Sequence, residues 1–146
     1  MLEKMKALLK DNSLCILATC SESRPHCSLM TYETDEQGEA IYSVTLNTSR
    51  KYKNIELNPN VSLLVDSRLN DGSIGNIKAL TVSGVCYPVR SETKKAAILT
   101  RIGQNHPHLR DLLIHPDAEV IAIAVESFLL LEGPTQANFV ELTKQD

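Results

Sequence analysis

The stretch Ile41–Val65, IYSVTLNTSRKYKNIELNPNVSLLV, holds the residues best suited to chemistry. A β-prone run ends at Leu46, and Thr48-Ser49-Arg50-Lys51 then opens a helix that Asn58-Pro59 stops. The first-turn N–H groups of a helix lack intrahelical partners, and the helix dipole favours an anion there. Two hydroxyls, a guanidinium and an ammonium at that point form a seat for a phosphate. Arg would supply bidentate geometry and Lys a mobile point charge. The same residues also read as a solvated helix start, with Arg50, Lys51 and Lys53 facing Glu56 or water.

Other reactive types are less organised. His106, His108 and His115 cluster around a helix start, with Asp111 and Asp117 the only carboxylates close in sequence. A polar loop between helices accounts for them without a metal, and no metal ligand is assigned. Cys15, Cys20, Cys27 and Cys86 show no C-x-x-C spacing and read as reduced, half-buried thiols. The alternative, zinc or a redox pair, needs a hairpin to bring Cys15, Cys20 and Cys27 together. There is no G-x-G-x-x-G, G-x-S-x-G or H-E-x-x-H, and Gly72-Ser73-Ile74-Gly75 lacks the Lys of a P-loop.

The elements that must position these residues are mostly strands. Leu2, Met5, Leu8 and Leu9 recur at helical spacing and predict a helix over 2–10. Strands are expected at Leu14–Thr19, His26–Thr34 and Ala40–Leu46, separated by turns at Ser21–Pro25 and Asp35–Gly38. After the basic helix come strands at Val61–Asp66 and Ile77–Tyr87, with a polar loop at 70–75 between them. Ser91 caps a helix to about Gly103, and Pro107 opens a second that ends near His115-Pro116. Val120–Val125, Phe128–Leu131 and Phe139–Leu142 close the chain as three strands. Antiparallel hairpins with few crossovers point to a mainly β barrel with short flanking helices.

Composition bounds the rest. The 146 residues fit one domain, 1–146, and suffice for a hydrophobic core. Fifteen Lys+Arg against eighteen Asp+Glu give a net charge of −3, a poor basis for nucleic-acid binding. The start MLEKMKALLKDNS has no signal-peptide core, and Val120–Leu131, broken by Glu126, is too short to span a bilayer. A cytoplasmic location without membrane partners is expected.

The order strand, tight turn, SRPHCSLMTYETDEQG, strand, TSRKYKNIELNPNVSLLV resembles the FMN-binding split-barrel superfamily related to pyridoxamine 5′-phosphate oxidase. The resemblance covers about Leu14–Tyr87, is most specific over Ser49–Val65, and fades into FLLLEGPTQANFVEL. It implies a six-stranded antiparallel Greek-key barrel that forms a homodimer, with FMN in a groove between subunits. By position, Arg50 and Lys51 resemble the residues that hold the FMN phosphate, Ser49 adds a donor, and Thr45 is the strand end beside the phosphate. Ser28, Leu29, Met30 and Thr31 match the strand whose backbone lines the isoalloxazine edge.

The departures are equally specific. Arg and Lys often flank the ring on that strand in family oxidases, whereas this chain has Ser28-Leu29-Met30-Thr31-Tyr32-Glu33. The resemblance implies, from the vitamin enzyme of the family, a Gln reaching in from the fifth strand; its place falls near Ala79 here, beside Lys78. The stretch 139–146, FVELTKQD, lacks the Arg-rich segment that grips pyridoxal phosphate. Oxidation of pyridoxamine phosphate is therefore not expected. The expected function is an FMN-dependent oxidoreductase moving electrons or hydride between small molecules. The alternatives are an FMN storage or electron-carrier module, a haem-binding split barrel using one of the three His, and a barrel dimer that has lost its flavin. Tyr32, His26 and Tyr42 are acid–base candidates by type alone, so no catalytic residue is assigned.

Overall fold

A computed structural model describes residues 1–70 and 72–142 of the chain. Residue 71 of the expected polar loop and the compared stretch 143–146 lie outside the described residues. The elements run α1 (Leu2–Lys10), β1 (Leu14–Ser21), β2 (Arg24–Thr31), β3 (Glu33–Thr34), β4 (Ala40–Leu46), α2 (Arg50–Leu57) and β5 (Asn60–Asp66). They continue through β6 (Lys78–Pro88), α3 (Glu92–Asn105), α4 (Arg110–Leu113), β7 (Ala118–Glu132) and β8 (Ala137–Glu141). Among the described residues no helix is long and apolar enough to cross a membrane.

The strands form one antiparallel sheet in the order β2-β1-β5-β6-β7-β4-β3, with β8 also paired to β7. β2 and β3 stand at opposite ends of that order, yet only Tyr32 separates them in the chain. The sheet must therefore curl until its ends meet, which is the split barrel. Side chains stitch the seam: Ser43 Oγ of β4 donates to the Thr31 carbonyl of β2 at 2.7 Å. The expected count of six strands becomes eight, because Tyr32 cuts His26–Thr34 into β2 and the two-residue β3, and β8 is added outside the barrel path. Tyr32 itself donates its N–H to Ser13 O (2.8 Å), one step beyond the Leu14–Thr31 pair, and its hydroxyl to Leu9 O (2.6 Å).

The β1–β2 turn is two residues, Glu22 and Ser23, with φ of 51° and 61°. Positive φ at both central positions gives the twist a tight hairpin needs, here without the usual glycine.

The expected break between Val125 and Phe128 is a bulge inside one strand. Ser83 pairs with Ser127 but Gly84 with Val125, so Glu126 is the extra residue. Its carbonyl accepts the Leu142 N–H at 2.8 Å. The bulge reverses the alternation: Ile121, Ile123 and Val125 face the barrel core before it, Phe128 and Leu130 after it. Gly84 opposite is obligatory by space, since a Cβ there would lie 2.3 Å from Ala124 O.

Both barrel ends are plugged. Met5 and Leu9 of α1 enter the core from one side, Tyr52 and Ile55 of α2 from the other. Ile98 and Ile102 of α3 build a second core on the outer face of β4 and β7 with Val44, Val120 and Ala122. The rest of the outer sheet face is left uncovered. Leu29, Ile16, Leu64, Thr81, Leu129 and Phe139 form one cross-strand row there, in which Leu29 is 68% and Phe139 62% exposed.

Candidate functional site

β4 ends at Leu46, and the chain turns through Asn47 and Thr48 into α2. Asn47 N–H donates to Asp117 O (2.9 Å) and Ser49 N–H to Leu46 O (3.0 Å), which fixes the turn. Ser49 is the N-cap: its Oγ accepts the Tyr52 N–H at 3.3 Å. Thr45 Oγ1 lies 3.1 Å from the same Oγ, so the strand end and the helix start share a pair of hydroxyls. Asn54 anchors the helix to β1 by donating to Thr19 Oγ1 at 3.1 Å.

A groove of about 310 Å³ opens at this junction. Its walls are Leu29, Met30 and Thr31 of β2, Val44–Leu46 of β4, Ser49 and Lys51, and Leu109 and Leu112 from the helical hairpin. It thus lies along the seam of the barrel, where β2 is hydrogen-bonded to β1 on one side only. The unpaired edge of such a strand presents backbone N–H and C=O groups to whatever fills the groove. Lys51 is half-buried, and burial pulls its ammonium below the usual lysine range. Among the described residues no carboxylate lies within 4 Å of it. A partly desolvated cation beside two hydroxyls and a helix N-terminus has the chemistry to receive an anion.

The groove brings together Leu29, Met30, Thr31, Thr45, Ser49 and Lys51 of the residues singled out by sequence. Ser28 lies outside its lining, half-buried opposite Leu17, and Arg50 is exposed at the first helical position. The acid–base candidates are elsewhere. Tyr32 is buried on Leu9 O, and its phenol is pushed well up, by burial first and then by Cys15, Glu33 and Asp11. Tyr42 packs under Lys94, 5.5 Å from its ammonium, and His26 sits opposite Thr19. The β1–β2 hairpin separates the cysteines: Cys15 is buried, as is Cys86, whereas Cys27 is exposed. Cys15 faces the core, and Cys20 and Cys27, on the other face, do not join it, because alternation along β1 divides residues 15 and 20. Of the histidines, His106 is spent on Glu33 and His115 accepts the Asp117 N–H.

Leu109 and Leu112 are lining residues that sequence reasoning placed in a helix without a role. Their i, i+3 spacing after Pro107 was the available signal. It marks a common face, but not what that face covers.

The sequence matches the pyridoxamine 5′-phosphate oxidase family over residues 1–132. The chain belongs to that family. Comparison with curated proteins gives no match. Solved structures agree on the fold. A candidate pyridoxamine 5′-phosphate oxidase from Listeria innocua is 24% identical with a TM-score of 0.71, over 88% of this chain and 96% of that one. An FAD-binding protein from Mesorhizobium loti is 15% identical with a TM-score of 0.72, over 89% and 93%. A haem-binding protein from Mycobacterium smegmatis is 16% identical with a TM-score of 0.82; the match takes in 95% of this chain but only 57% of that longer one. At these identities the likeness establishes the fold, and the ligand must be argued from this family member's own residues. Among the described residues its groove has one titratable side chain, Lys51, and no cation on the β2 wall.

Proposed function

We propose that the groove holds FMN and that the protein is a flavin-dependent oxidoreductase acting on small molecules. The observation that carries this reading is the half-buried Lys51, without a carboxylate partner among the described residues, beside the Thr45–Ser49 hydroxyl pair at the N-terminus of α2. These groups would hold the phosphate, with Arg50 at the rim. The outer backbone edge at Leu29 and Met30 would meet the polar edge of the ring, the Thr31 carbonyl being taken by Ser43 Oγ, and Leu109 and Leu112 would give it an apolar wall. Bound FMN supplies hydride or electron transfer. The chain's own residues bind the phosphate, orient the ring and keep water from one of its faces.

The groove is small and open, near the lower bound of about 300 Å³ for ligand pockets. A second groove of about 350 Å³ shares Leu29 with it and continues over Leu14, Ile16, Leu64 and Leu69. This apolar surface supports a homodimer in which a second copy completes each flavin site. With Lys51 the one titratable group in the lining, the same site also serves an electron-carrier or storage module. Among the described residues no guanidinium lines it, and the reading does not extend to pyridoxamine phosphate oxidation.

The test is the visible spectrum of the purified protein before and after excess FMN, with unbound flavin removed. A retained two-band flavin spectrum supports the proposal. Turnover with a reduced nicotinamide donor then separates enzyme from carrier. A protein that stays colourless with FMN and gains a Soret band with haem overturns it in favour of haem.

A further inference from the structure

We propose that Glu33 is a positioning residue that latches the helical hairpin over the groove; its effect on flavin rests on the FMN reading above, its mechanical part does not. Glu33 lies on the two-residue β3, two positions beyond Thr31 of the groove wall. Both of its carboxylate oxygens are spent on the end of α3. Oε1 accepts from Asn105 Nδ2 at 2.7 Å and lies 3.0 Å from His106 Nε2; Oε2 lies 3.3 Å from Arg101 Nη2. Arg101 Nη1 donates to the Thr34 carbonyl at 2.6 Å.

This polar cluster sits where the hairpin turns. His106 ends α3, its carbonyl accepts the Leu109 N–H at 3.0 Å, and Leu109 and Leu112 then reach the groove. One carboxylate thus ties the strand segment behind one wall to the helical segment that forms the other. His106 is only 9% exposed, so without Glu33 its ring nitrogen is buried unpaired. Opening the hairpin would return that nitrogen to water, which makes opening cheaper by the cost of an unsatisfied buried polar group. α4 is four residues long and cannot hold its place by helix propensity.

The experiment compares the full chain with Glu33→Ala, Glu33→Gln and Asn105→Ala, the last at an exposed position. Amide exchange is followed at Leu109 and Ile114 of the hairpin and at Lys53 of α2, and FMN and riboflavin affinities are measured in parallel. Glu33→Ala should speed exchange at Leu109 and Ile114 while Lys53 keeps its rate. It should weaken FMN and riboflavin by the same factor, about tenfold, the equivalent of withdrawing roughly 50 Å² of apolar contact from the ring. Asn105→Ala should shift both readouts in the same direction, by less. Glu33→Gln keeps the Oε1 acceptor for Asn105 and His106 but sets an NH2 donor against Arg101 in place of Oε2, so it should shift both readouts by less than Glu33→Ala. Unchanged exchange in Glu33→Ala overturns the latch. Faster exchange with unchanged flavin affinity overturns its link to the site. Faster exchange in a protein that binds neither flavin keeps the latch and overturns the FMN reading.

Discussion

Replacing Lys51 by Ala would separate the proposed phosphate seat from the proposed ring site. In the native chain the ammonium is half-buried and free of carboxylates among the described residues. Its desolvation is therefore met on folding, before any ligand arrives. A charge-assisted hydrogen bond to phosphate is worth roughly 1.5–3 kcal/mol, so Lys51→Ala should cost FMN about 10- to 100-fold in affinity. Riboflavin lacks the phosphate and should bind both proteins almost equally. Fluorescence titration of each flavin against each protein gives four constants and one ratio of ratios. The pH dependence adds a sign. Burial lowers the proton affinity of Lys51, so its charge is lost below the ordinary value of 10.5. FMN binding to the native chain should weaken as pH rises through that point, while Lys51→Ala stays flat there. Equal losses for FMN and riboflavin would place Lys51 against the ring, and no loss for FMN would place the phosphate elsewhere.

Four further outcomes follow from the same geometry. Lys51→Met should stabilise the ligand-free fold at neutral pH, because with a lowered lysine pKa the unfolded chain binds more protons up to the ordinary 10.5, and native stability rises with pH across that window; urea midpoints at two pH values show it. Gly84→Ala should destabilise by about 1–3 kcal/mol or more in urea unfolding, since its Cβ meets the Ala124 carbonyl opposite the bulge. Tyr32→Phe should cost about 1–3 kcal/mol by leaving the Leu9 carbonyl without its donor. Burial pushes the Cys15 and Cys86 thiols up to about 12, so at neutral pH a thiol reagent should label Cys27 first and reach Cys15 and Cys86 only on unfolding, as peptide mapping would record.

Much of the fold was legible because its signals are local. The helix over 2–10 coincides with α1, the Ser91 cap stands where a hydroxyl before an apolar period places it, and of the two hydroxyls Thr48 and Ser49 it is Ser49 that caps α2. The hairpin at Asp35–Gly38 is closed by Asp35 Oδ1, which accepts the Glu39 and Ala40 N–H groups. What was not legible depends on pairing across the sheet. Glu126 looked like a break because the apolar period changes phase there, from Val125 inward to Phe128 inward. A phase change reads the same for two strands as for one strand with a bulge. Only the partner, Gly84 against Val125, distinguishes them.

The groove divides in the same way. Thr45, Ser49 and Lys51 lie within one strand–turn–helix unit, so type and spacing sufficed to bring them together. Leu29–Thr31 reach them only because β2 and β4 meet at the barrel seam, and Leu109 and Leu112 only because α3 lies across β4 and β7. Strand period alone cannot say how far along β2 a groove runs; Leu29, Met30 and Thr31 line it from both faces of the strand, and Ser28, one residue earlier, does not. The uncovered row through Leu29 has the same origin. Helices shield the sheet only where their apolar faces reach, over β4 and the first half of β7, and past the bulge the outward residues are Leu129 and Leu131 with no helix above them. A groove on the border between a covered and an uncovered face is walled by its own chain on the covered side, and the proposed second copy would close the proposed flavin site on the other.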